Sequence, residues 1–311
     1  MKNNIRALVT HDGRFHTDDV LSYHILHSLF PDATLVRTRE ENYFNNSELN
    51  KIIFDVGLEY DENRNMFDHH QIDGPVRDNG VPYSSVGLIW KKFGKEYLFK
   101  KNIVEQKLID FVHKFIDENF IEIIDAGDNG YQYKKNVGIS GNLNLHSFIS
   151  SFNKNVNNKA SQYMNFLSTD LFLEKIMSGQ INNALAYSKS YSVVQNAKMN
   201  QEDERYLILE KDVDYLRPLL EMGDTETLYV IVPKGDKWYI SCVNKGLETF
   251  ELRSPLPKEW AGLNGKELEA KSGIQGAFFC HKGRFIGANK TYEGALEMLH
   301  HALENNPAFQ V

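Results

Sequence analysis

Short apolar runs and one helical pattern alternate at the start of the chain. Residues 5–10 (IRALVT), 33–37 (ATLVR) and 51–56 (KIIFDV) have the length and apolar content of buried strands. Between the first two runs, residues 18–30 carry apolar side chains at helical spacing, and Thr17 is placed to cap that helix. A strand, a helix and a second strand at this spacing are typical of a parallel α/β sheet.

Helical patterns dominate the middle of the chain. Ser84 or Ser85 is placed to cap one helix, and residues 106–124 repeat apolar positions every three or four residues. Two acids, Asp125 and Asp128, are expected to follow directly after this second helix.

The pattern changes in the last third of the chain. Residues 165–204 are helical in pattern, whereas strand patterns follow at 228–233, 237–243 and 276–280. Thr291 is placed to cap a final helix. We therefore predict a parallel-sheet α/β domain over residues 1–165, a helical connector over 166–204 and a smaller C-terminal α+β domain over 205–311.

Composition and charge narrow the class of protein. The 311 residues carry 35 basic and 42 acidic side chains, a net charge of −7, which argues against a protein that coats nucleic acid. A nucleic-acid enzyme stays open, because bound divalent cations supply local positive charge. No uncharged apolar run reaches the roughly 18 residues of a membrane span, and the polar N-terminus does not resemble a signal peptide. Cys242 and Cys280 lie inside strand patterns, so we expect buried thiols and a cytoplasmic protein.

Acids and histidines form four clusters, each just beyond a predicted apolar element. They are His11 with His16 and Asp18, then Asp55, then Asp68-His69-His70, and finally Asp125 with Asp128. In an open parallel sheet, ligands bind beyond the carboxyl ends of the strands. We expect the first two clusters to meet there and the others to fold over them.

The residue types in these clusters predict a metal site. Imidazole and carboxylate without thiolate favour manganese, with magnesium, zinc or iron as alternatives. The candidates are too many for one ion, whereas two ions about 3.5–4 Å apart can use them all. Asp55 is the candidate bridge, with Asp18 reaching one ion while His11 and His16 hold the other.

Some neighbouring residues have simpler interpretations. In a regular strand His69 and His70 would point to opposite faces, so either the chain turns there or one binds metal while the other faces the substrate phosphate. Asp19 is interpreted as a helix-cap residue, and His24 and His27 as surface or rim residues of the first helix.

At this point the motifs resemble a known family. THDGRFHTDD, DVGLEYDENRNMFDHHQ, SSVGLIWKKFG and IIDAGDNG are similar to the Myg exonuclease family (melanocyte proliferating gene) of the DHH phosphoesterase superfamily. RSPLPKEWAGLNGKEL, SGIQGAFFCHKGRFIG and KTYEGALEML extend the resemblance to the C-terminal part. It implies a DHH-type catalytic domain joined to a smaller domain, with a dinuclear metal site in the cleft.

The resemblance also implies roles for individual residues. One ion would be held by His11, His16 and Asp55, and the other by Asp18, Asp55, His69 and either Asp125 or Asp128. The triplet Asp68, His69 and His70 would be catalytic. The candidate phosphate-binding groups of the second domain, which would close over the metals, are His281, Arg284, Lys290 and Arg253.

The implied activity is 3′-to-5′ exonuclease action on RNA or short oligonucleotides. Two alternatives stay open from the residues alone. One is a phosphatase or pyrophosphatase that acts on a small phosphate compound, and the other is a metal-stabilised binding protein without turnover. The sequence leaves the oligomeric state open.

Overall fold

Two compact units make up the described chain. The computed structural model describes residues 5–45, 47–48, 50–130, 145–153 and 158–305. The units are Met1–Leu185 and Ala186–Val311, and each contains one five-stranded sheet. The domain boundaries placed after residues 165 and 204 stay predictions.

The sheet of the first unit is mostly parallel, as predicted. Its strands are β1 (Ala7–Thr10), β2 (Thr34–Arg37), β3 (Lys51–Phe54), β4 (Tyr60–Asp61) and β5 (Met66–Phe67). They lie in the order β2-β1-β3-β5-β4, and only the edge strand β4 runs antiparallel to its neighbour. The predicted α/β class is confirmed.

Both faces of this sheet are buried, which explains the continuous apolar runs. Leu8 of β1 faces the main core, which also contains Trp90, whereas its neighbour Val9 faces a second cluster with Ile53 and Met66. Alternating side chains of one strand therefore enter two different cores.

The helices of the first unit correct several expectations. They are α1 (Thr17–Leu29), α2 (Ser85–Lys100), α3 (Gln106–Ile116), α4 (Glu122–Asp128), α5 (Leu145–Ser151) and α6 (Lys159–Met199), the last of which continues into the second unit. Thr17 is the first residue of α1, and His16 precedes it as the N-cap residue, so the predicted cap is wrong. A π-helical turn, Asp117–Ile121, joins α3 to α4. Asp125 and Asp128 therefore lie within a helix and do not follow one.

His24 is buried, so its interpretation as a surface or rim residue is wrong. Only 4% of it is exposed, and its Nδ1 lies 2.6 Å from Oδ1 of Asp170. Its Nε2 lies 3.2 Å from the Tyr97 hydroxyl. These contacts tie α1 to α2 and α6.

The second unit has the predicted α+β character. Its elements are β6 (Tyr206–Ile208), α7 (Leu216–Glu221), β7 (Tyr229–Lys234), β8 (Lys237–Cys242), α8 (Gly265–Ser272), β9 (Ala277–Cys280), β10 (Ile286–Asn289) and α9 (Tyr292–Glu304). The strand order is β6-β7-β8-β10-β9, with β6 and β7 parallel and the other pairs antiparallel. Thr291 caps α9 as predicted, because its hydroxyl accepts a hydrogen bond from the Gly294 N–H at 3.1 Å.

The cysteines and the length of the apolar helices were also subjects of prediction. Cys242 and Cys280 are free and buried, as expected. None of the described helices has both the length and the apolar character that crossing a membrane requires.

Candidate metal centre

Residues that directly follow three parallel strands meet at one edge of the sheet. His11 follows β1, Asp55 follows β3 and Asp68 follows β5. Nε2 of His11 lies 3.1 Å from Oδ2 of Asp55. Asp55 has a φ of 53°, in the left-handed region, so the extended conformation of β3 ends at this residue. The sheet topology thus brings the first two sequence clusters together, as expected.

The first turn of α1 supplies two more carboxylates. Oδ1 of Asp19 accepts a hydrogen bond from the His16 N–H at 2.8 Å, which is the cap role expected for Asp19. Its Oδ2 also lies 3.2 Å from Nε2 of His11, a contact that the sequence did not indicate. Asp18 is 1% exposed and points into the same centre. The positive end of the helix dipole favours both acids here.

The two histidines of the DHH triplet lie on the same side of the chain. Strand β5 ends at Phe67, the chain turns, and the rings of His69 and His70 lie 4.3 Å apart between centroids. The chain therefore follows the first of the two alternatives. Nε2 of His69 lies 3.4 Å from Oδ1 of Asp55 and 3.4 Å from Oδ2 of Asp128.

The Asp68 carboxylate fixes the conformation of the Asp68-His69-His70 turn through hydrogen bonds. Its carboxylate accepts hydrogen bonds from the Leu58 N–H at 2.6 Å, from the His69 N–H at 2.8 Å and from Nδ1 of His70 at 2.6 Å. Burial alone would raise the pKa of Asp68, but the bond from His70 and its charge hold that pKa below the usual value. The bond to Asp68 raises the pKa of His70 in turn.

The two acids of α4 have different surroundings. Asp125 is fully buried and accepts hydrogen bonds from Nη2 and Nε of Arg77 at 2.7 and 2.9 Å. It also accepts bonds from the hydroxyl and N–H of Ser84 at 2.7 and 3.0 Å. Burial raises the pKa of Asp125 to about 6, against the charge of Arg77. Gly87 makes room for this carboxylate, since a Cβ there would lie 2.3 Å from Oδ2.

Asp128, one turn further along α4, joins the centre. It lies with His16 and Asp18 in a group whose ligand atoms are all within 4.8 Å of one another. The other groups of this kind are His11 with His16 and Asp55, Asp55 with His69 and His70, and Asp18 with Asp19 and Asp55. Among the described residues no such group contains Asp125.

Several buried atoms at this centre have no hydrogen-bond partner among the described residues. They are both carboxylate oxygens of Asp18, together with Oδ2 of Asp19 and Nε2 of His69, which make the ion-pair contacts of 3.2 to 3.4 Å given above. Burial and the charges of Asp55 and Asp128 raise the pKa of Asp18 well above its usual value. Leaving such groups unpaired is costly, and a divalent cation would offset that cost. The donor set therefore fits a cation that accepts imidazole and carboxylate ligands.

Histidine and carboxylate charges are strongly linked within the cluster. Burial alone would lower the pKa of His11, but its close contacts with the carboxylates of Asp19 and Asp55 raise that pKa to about 10. Burial alone would raise the pKa of Asp55, but the close contacts with the rings of His11 and His69 hold it well below the usual value. The carboxylates of Asp19 and Asp55 thus stabilise a positive charge beside them. A protonated His11 ring supplies that charge, and a bound cation would supply it equally.

Arg77 and His146 were not singled out in the sequence. Arg77 is 7% exposed and also bonds Asp117 at 2.7 and 2.9 Å, so it anchors Asp125 across the helices. His146 packs so closely on α4 that a Cβ on Gly127 would lie 2.4 Å from its Nε2. Neither residue belongs to a motif or an apolar period, so no sequence signal indicated them.

The predicted phosphate-binding residues lie in the second unit and have unequal surroundings. Nη1 of Arg253 bonds Oδ1 of Asp224 at 2.6 Å and the Thr227 carbonyl at 2.9 Å. Arg284, in the turn between β9 and β10, donates to the Leu256 carbonyl at 3.1 Å. The two remaining candidates are His281, which accepts a bond from the Gly283 N–H at 3.0 Å, and the exposed Lys290. A substrate role for these residues stays a prediction.

Comparison with known proteins gives one family match over nearly the whole chain. Residues 7–303 match the family MYG1_exonuc, described as an uncharacterised protein family (UPF0160). A MYG1 protein of Schizosaccharomyces pombe is 30% identical, over 97% of this chain and 98% of its own length. Proteins named MYG1 exonuclease are 29% identical in Mus musculus and 28% identical in Homo sapiens. These alignments cover 99% and 93% of this chain, and 88% and 83% of the relatives.

One solved structure is also similar to this chain. It is RecJ in complex with Mn²⁺ from Thermus thermophilus, with a TM-score of 0.25 and 11% sequence identity. The match covers 97% of this chain and 52% of that chain.

Proposed function

This chain belongs to the MYG1_exonuc family, and from that premise we propose that it is a metal-dependent phosphodiesterase, a 3′-to-5′ exonuclease that acts on RNA or short oligonucleotides. The observation that carries the proposal is the convergence of His11, Asp18, Asp55, His69 and Asp128, with buried oxygens that lack a partner among the described residues. The names of the mouse and human relatives support exonuclease action.

The proposed centre holds two divalent ions, with manganese preferred. Asp55 is the proposed bridge, because its Oδ2 faces His11 at 3.1 Å and its Oδ1 faces His69 at 3.4 Å. One ion would be held by His11, His16 and Asp55, whose ligand atoms form one close group. The other would be held by Asp18, Asp55 and Asp128 together with His69, whose Nε2 lies 3.8, 3.4 and 3.4 Å from oxygens of these three acids. Asp125 is left out, because Arg77 and Ser84 already occupy its carboxylate.

Two divalent ions, when bound, would lower the pKa of a water and offset negative charge on the phosphate oxygens. His70 is the proposed proton donor to the leaving oxygen. Its side chain is 53% exposed, and the bond to Asp68 raises its pKa, which favours the protonated ring. Asp68 acts through His70 and through the backbone of the turn, so it is a positioning residue.

We also propose that the protein is cytoplasmic. The free, buried thiols of Cys242 and Cys280 accord with a reducing compartment such as the cytoplasm.

The test presents manganese-loaded protein with 5′-labelled RNA, 3′-labelled RNA, DNA of the same sequence and pyrophosphate, side by side. We expect a ladder of shortened 5′-labelled RNA and early release of the label from the 3′-labelled strand. Turnover of pyrophosphate alone would replace the proposal with a small-phosphate hydrolase. Saturated metal sites without turnover of any of these substrates would contradict it.

A further inference from the structure

A pocket of about 670 Å³ opens beside the metal centre within the first unit. Asp55, Asp68 and His70 line one side of it. The remaining lining residues belong to the connections β2–β3, β3–β4 and β4–β5 and are Arg39, Glu41, Phe44, Asn45, Val56, Gly57, Leu58 and Arg64. Its volume is in the usual range for a small-molecule site and far exceeds the needs of a phosphate group. The space next to the proposed metals can therefore hold a larger part of a substrate.

One wall of this pocket is apolar and shaped by the backbone. The Phe44 ring is partly buried and packs against the apolar cluster formed by Val9, Ile53, Val56 and Met66. Gly57, at a φ of 103°, allows this close packing, since a Cβ there would lie 3.3 Å from Met66 and 3.7 Å from Phe44. The part of the Phe44 ring that is not packed against this cluster is left for the pocket that Phe44 lines.

Leu58 extends the apolar wall. It is 70% exposed in the left-handed region, with a φ of 54°, and its N–H is bonded to Asp68. Its side chain therefore contributes little to the core and lines the pocket with most of its surface exposed.

A cationic group stands at the rim of the pocket. The Arg39 side chain is 64% exposed, and its Nε lies 3.8 Å from Oδ1 of Asp12. Lys159 contacts the other oxygen of Asp12 at 3.0 Å, so Asp12 is shared between two cations. The carbonyl of Asp12 also lies 3.0 Å from Nδ1 of His11, which places this ion pair next to a proposed metal ligand. The Arg39 guanidinium can therefore donate hydrogen bonds to a phosphate group close to the candidate metal centre.

We propose that this pocket is a nucleoside subsite, which holds the terminal base of the substrate against Phe44 and Leu58 while Arg39 contacts a phosphate. The inference rests on the proposed function and adds the part of the substrate that is recognised. Phosphate is repelled by the carboxylates of Asp55 and Asp68 unless cations lie between them, so the phosphate end belongs at the metal side. The base then lies against the apolar wall. Stacking on an aromatic ring is favourable there, and it is open to every base because each base has a flat π-face.

The test measures binding by calorimetry of AMP, UMP and ribose 5-phosphate to manganese-loaded protein. We expect both nucleotides to bind about tenfold more tightly than ribose 5-phosphate, the size of effect given by stacking one base on an aromatic ring. Phe44→Leu keeps an apolar side chain packed against the cluster but removes the aromatic ring. It should reduce the preference for nucleotides over ribose 5-phosphate to about threefold or less, with the affinity for ribose 5-phosphate unchanged. Arg39→Ala should weaken all three ligands by a similar factor.

Tyr43→Leu is the matched control, because Tyr43 is 40% exposed, adjoins Phe44 and does not line the pocket. It should leave every affinity unchanged. Equal binding of AMP and ribose 5-phosphate to wild-type protein, or an unchanged ratio in Phe44→Leu, overturns the subsite. Metal content and thermal midpoints of each variant exclude misfolding as the cause.

The calorimetry of nucleotides and the cleavage assay with oligonucleotides test the subsite and the proposed function separately. If nucleotides bind with the expected ratio but oligonucleotides are not cleaved, the proposed function fails and the subsite stands. If oligonucleotides are cleaved but the ratio is absent, the subsite fails and the function stands.

Discussion

Arg77 and Asp125 form a buried ion pair with two hydrogen bonds, from Nη2 at 2.7 Å and from Nε at 2.9 Å to the same carboxylate oxygen. The Asp125 carboxylate is completely buried, and the Arg77 side chain is 6% exposed. The pair lies about one helical turn from Asp128, so two aspartates on α4 have different surroundings. Asp125 accepts hydrogen bonds from Arg77 and Ser84, whereas Asp128 lies with His16 and Asp18 in the candidate metal centre.

We expect Asp125→Asn and Asp128→Asn to separate stability from metal binding. Asp125→Asn removes an acceptor from Arg77 and Ser84 but leaves Arg77 paired with Asp117, so it should lower the free energy of unfolding by about 2 kcal/mol, with metal content retained. Asp128→Asn should leave stability within about 1 kcal/mol but weaken binding of one ion at least tenfold. Urea denaturation and manganese titration of both variants check this. Loss of an ion in Asp125→Asn at unchanged stability would reverse the assignment.

Asp55→Asn tests the proposed bridge. Asparagine tolerates the left-handed backbone at this position and has nearly the same shape, so the fold should persist. Removal of the shared negative charge should reduce the manganese content from two ions per chain to one or none, and turnover at least 100-fold. Elemental analysis after equilibration with manganese and a circular dichroism spectrum provide the measurement. A variant with two ions and near-normal turnover would exclude Asp55 as the bridge.

His69→Ala and His70→Ala should have different effects, although the residues are adjacent. Nε2 of His69 is buried between Asp55 and Asp128, so its loss should remove metal. His70 is more exposed and is anchored by Asp68, so its loss should lower kcat about 100- to 1,000-fold with both ions retained. Metal content measured beside kcat distinguishes the two. Equal metal loss in both variants would make His70 a ligand.

Arg253→Ala and Lys290→Ala separate two residues that the sequence placed in the same role. Arg253 contacts Asp224 from a side chain that is 9% exposed, so its removal should cost about 3 kcal/mol of unfolding free energy. Lys290 is exposed, and its removal should leave stability unchanged while KM for oligonucleotide rises a fewfold. Arg284→Ala should raise KM to a similar extent, and it should also lower the free energy of unfolding by about 1 kcal/mol, because its side chain donates to the Leu256 carbonyl. Unchanged kinetics in Lys290→Ala and Arg284→Ala would place the phosphate contact elsewhere.

Features that depend on local pattern were predictable from the sequence alone. The apolar runs that became β1, β2 and β3 are continuous because both faces of the sheet are buried. The parallel pairing of β1 and β2 follows from the helix between them. Thr291 could be recognised as a cap because the N-terminus of a helix needs a side-chain acceptor. The candidate ligands could be named because metals select imidazole and carboxylate, and strand ends of a parallel sheet meet at one edge.

The choice between neighbouring residues of the same type depended on the tertiary structure. Asp125 and Asp128 are both acids on one helix, and only the arrival of Arg77 from a distant loop decides which carboxylate is neutralised by the protein. His69 and His70 lie on the same side because β5 ends after two residues, which no alternation of side chains predicts. Arg253 is held within the fold by Asp224, a residue far from it in the sequence. A sequence pattern reports whether a position is buried, whereas the partner of a buried charge is set by chain segments that meet only after folding.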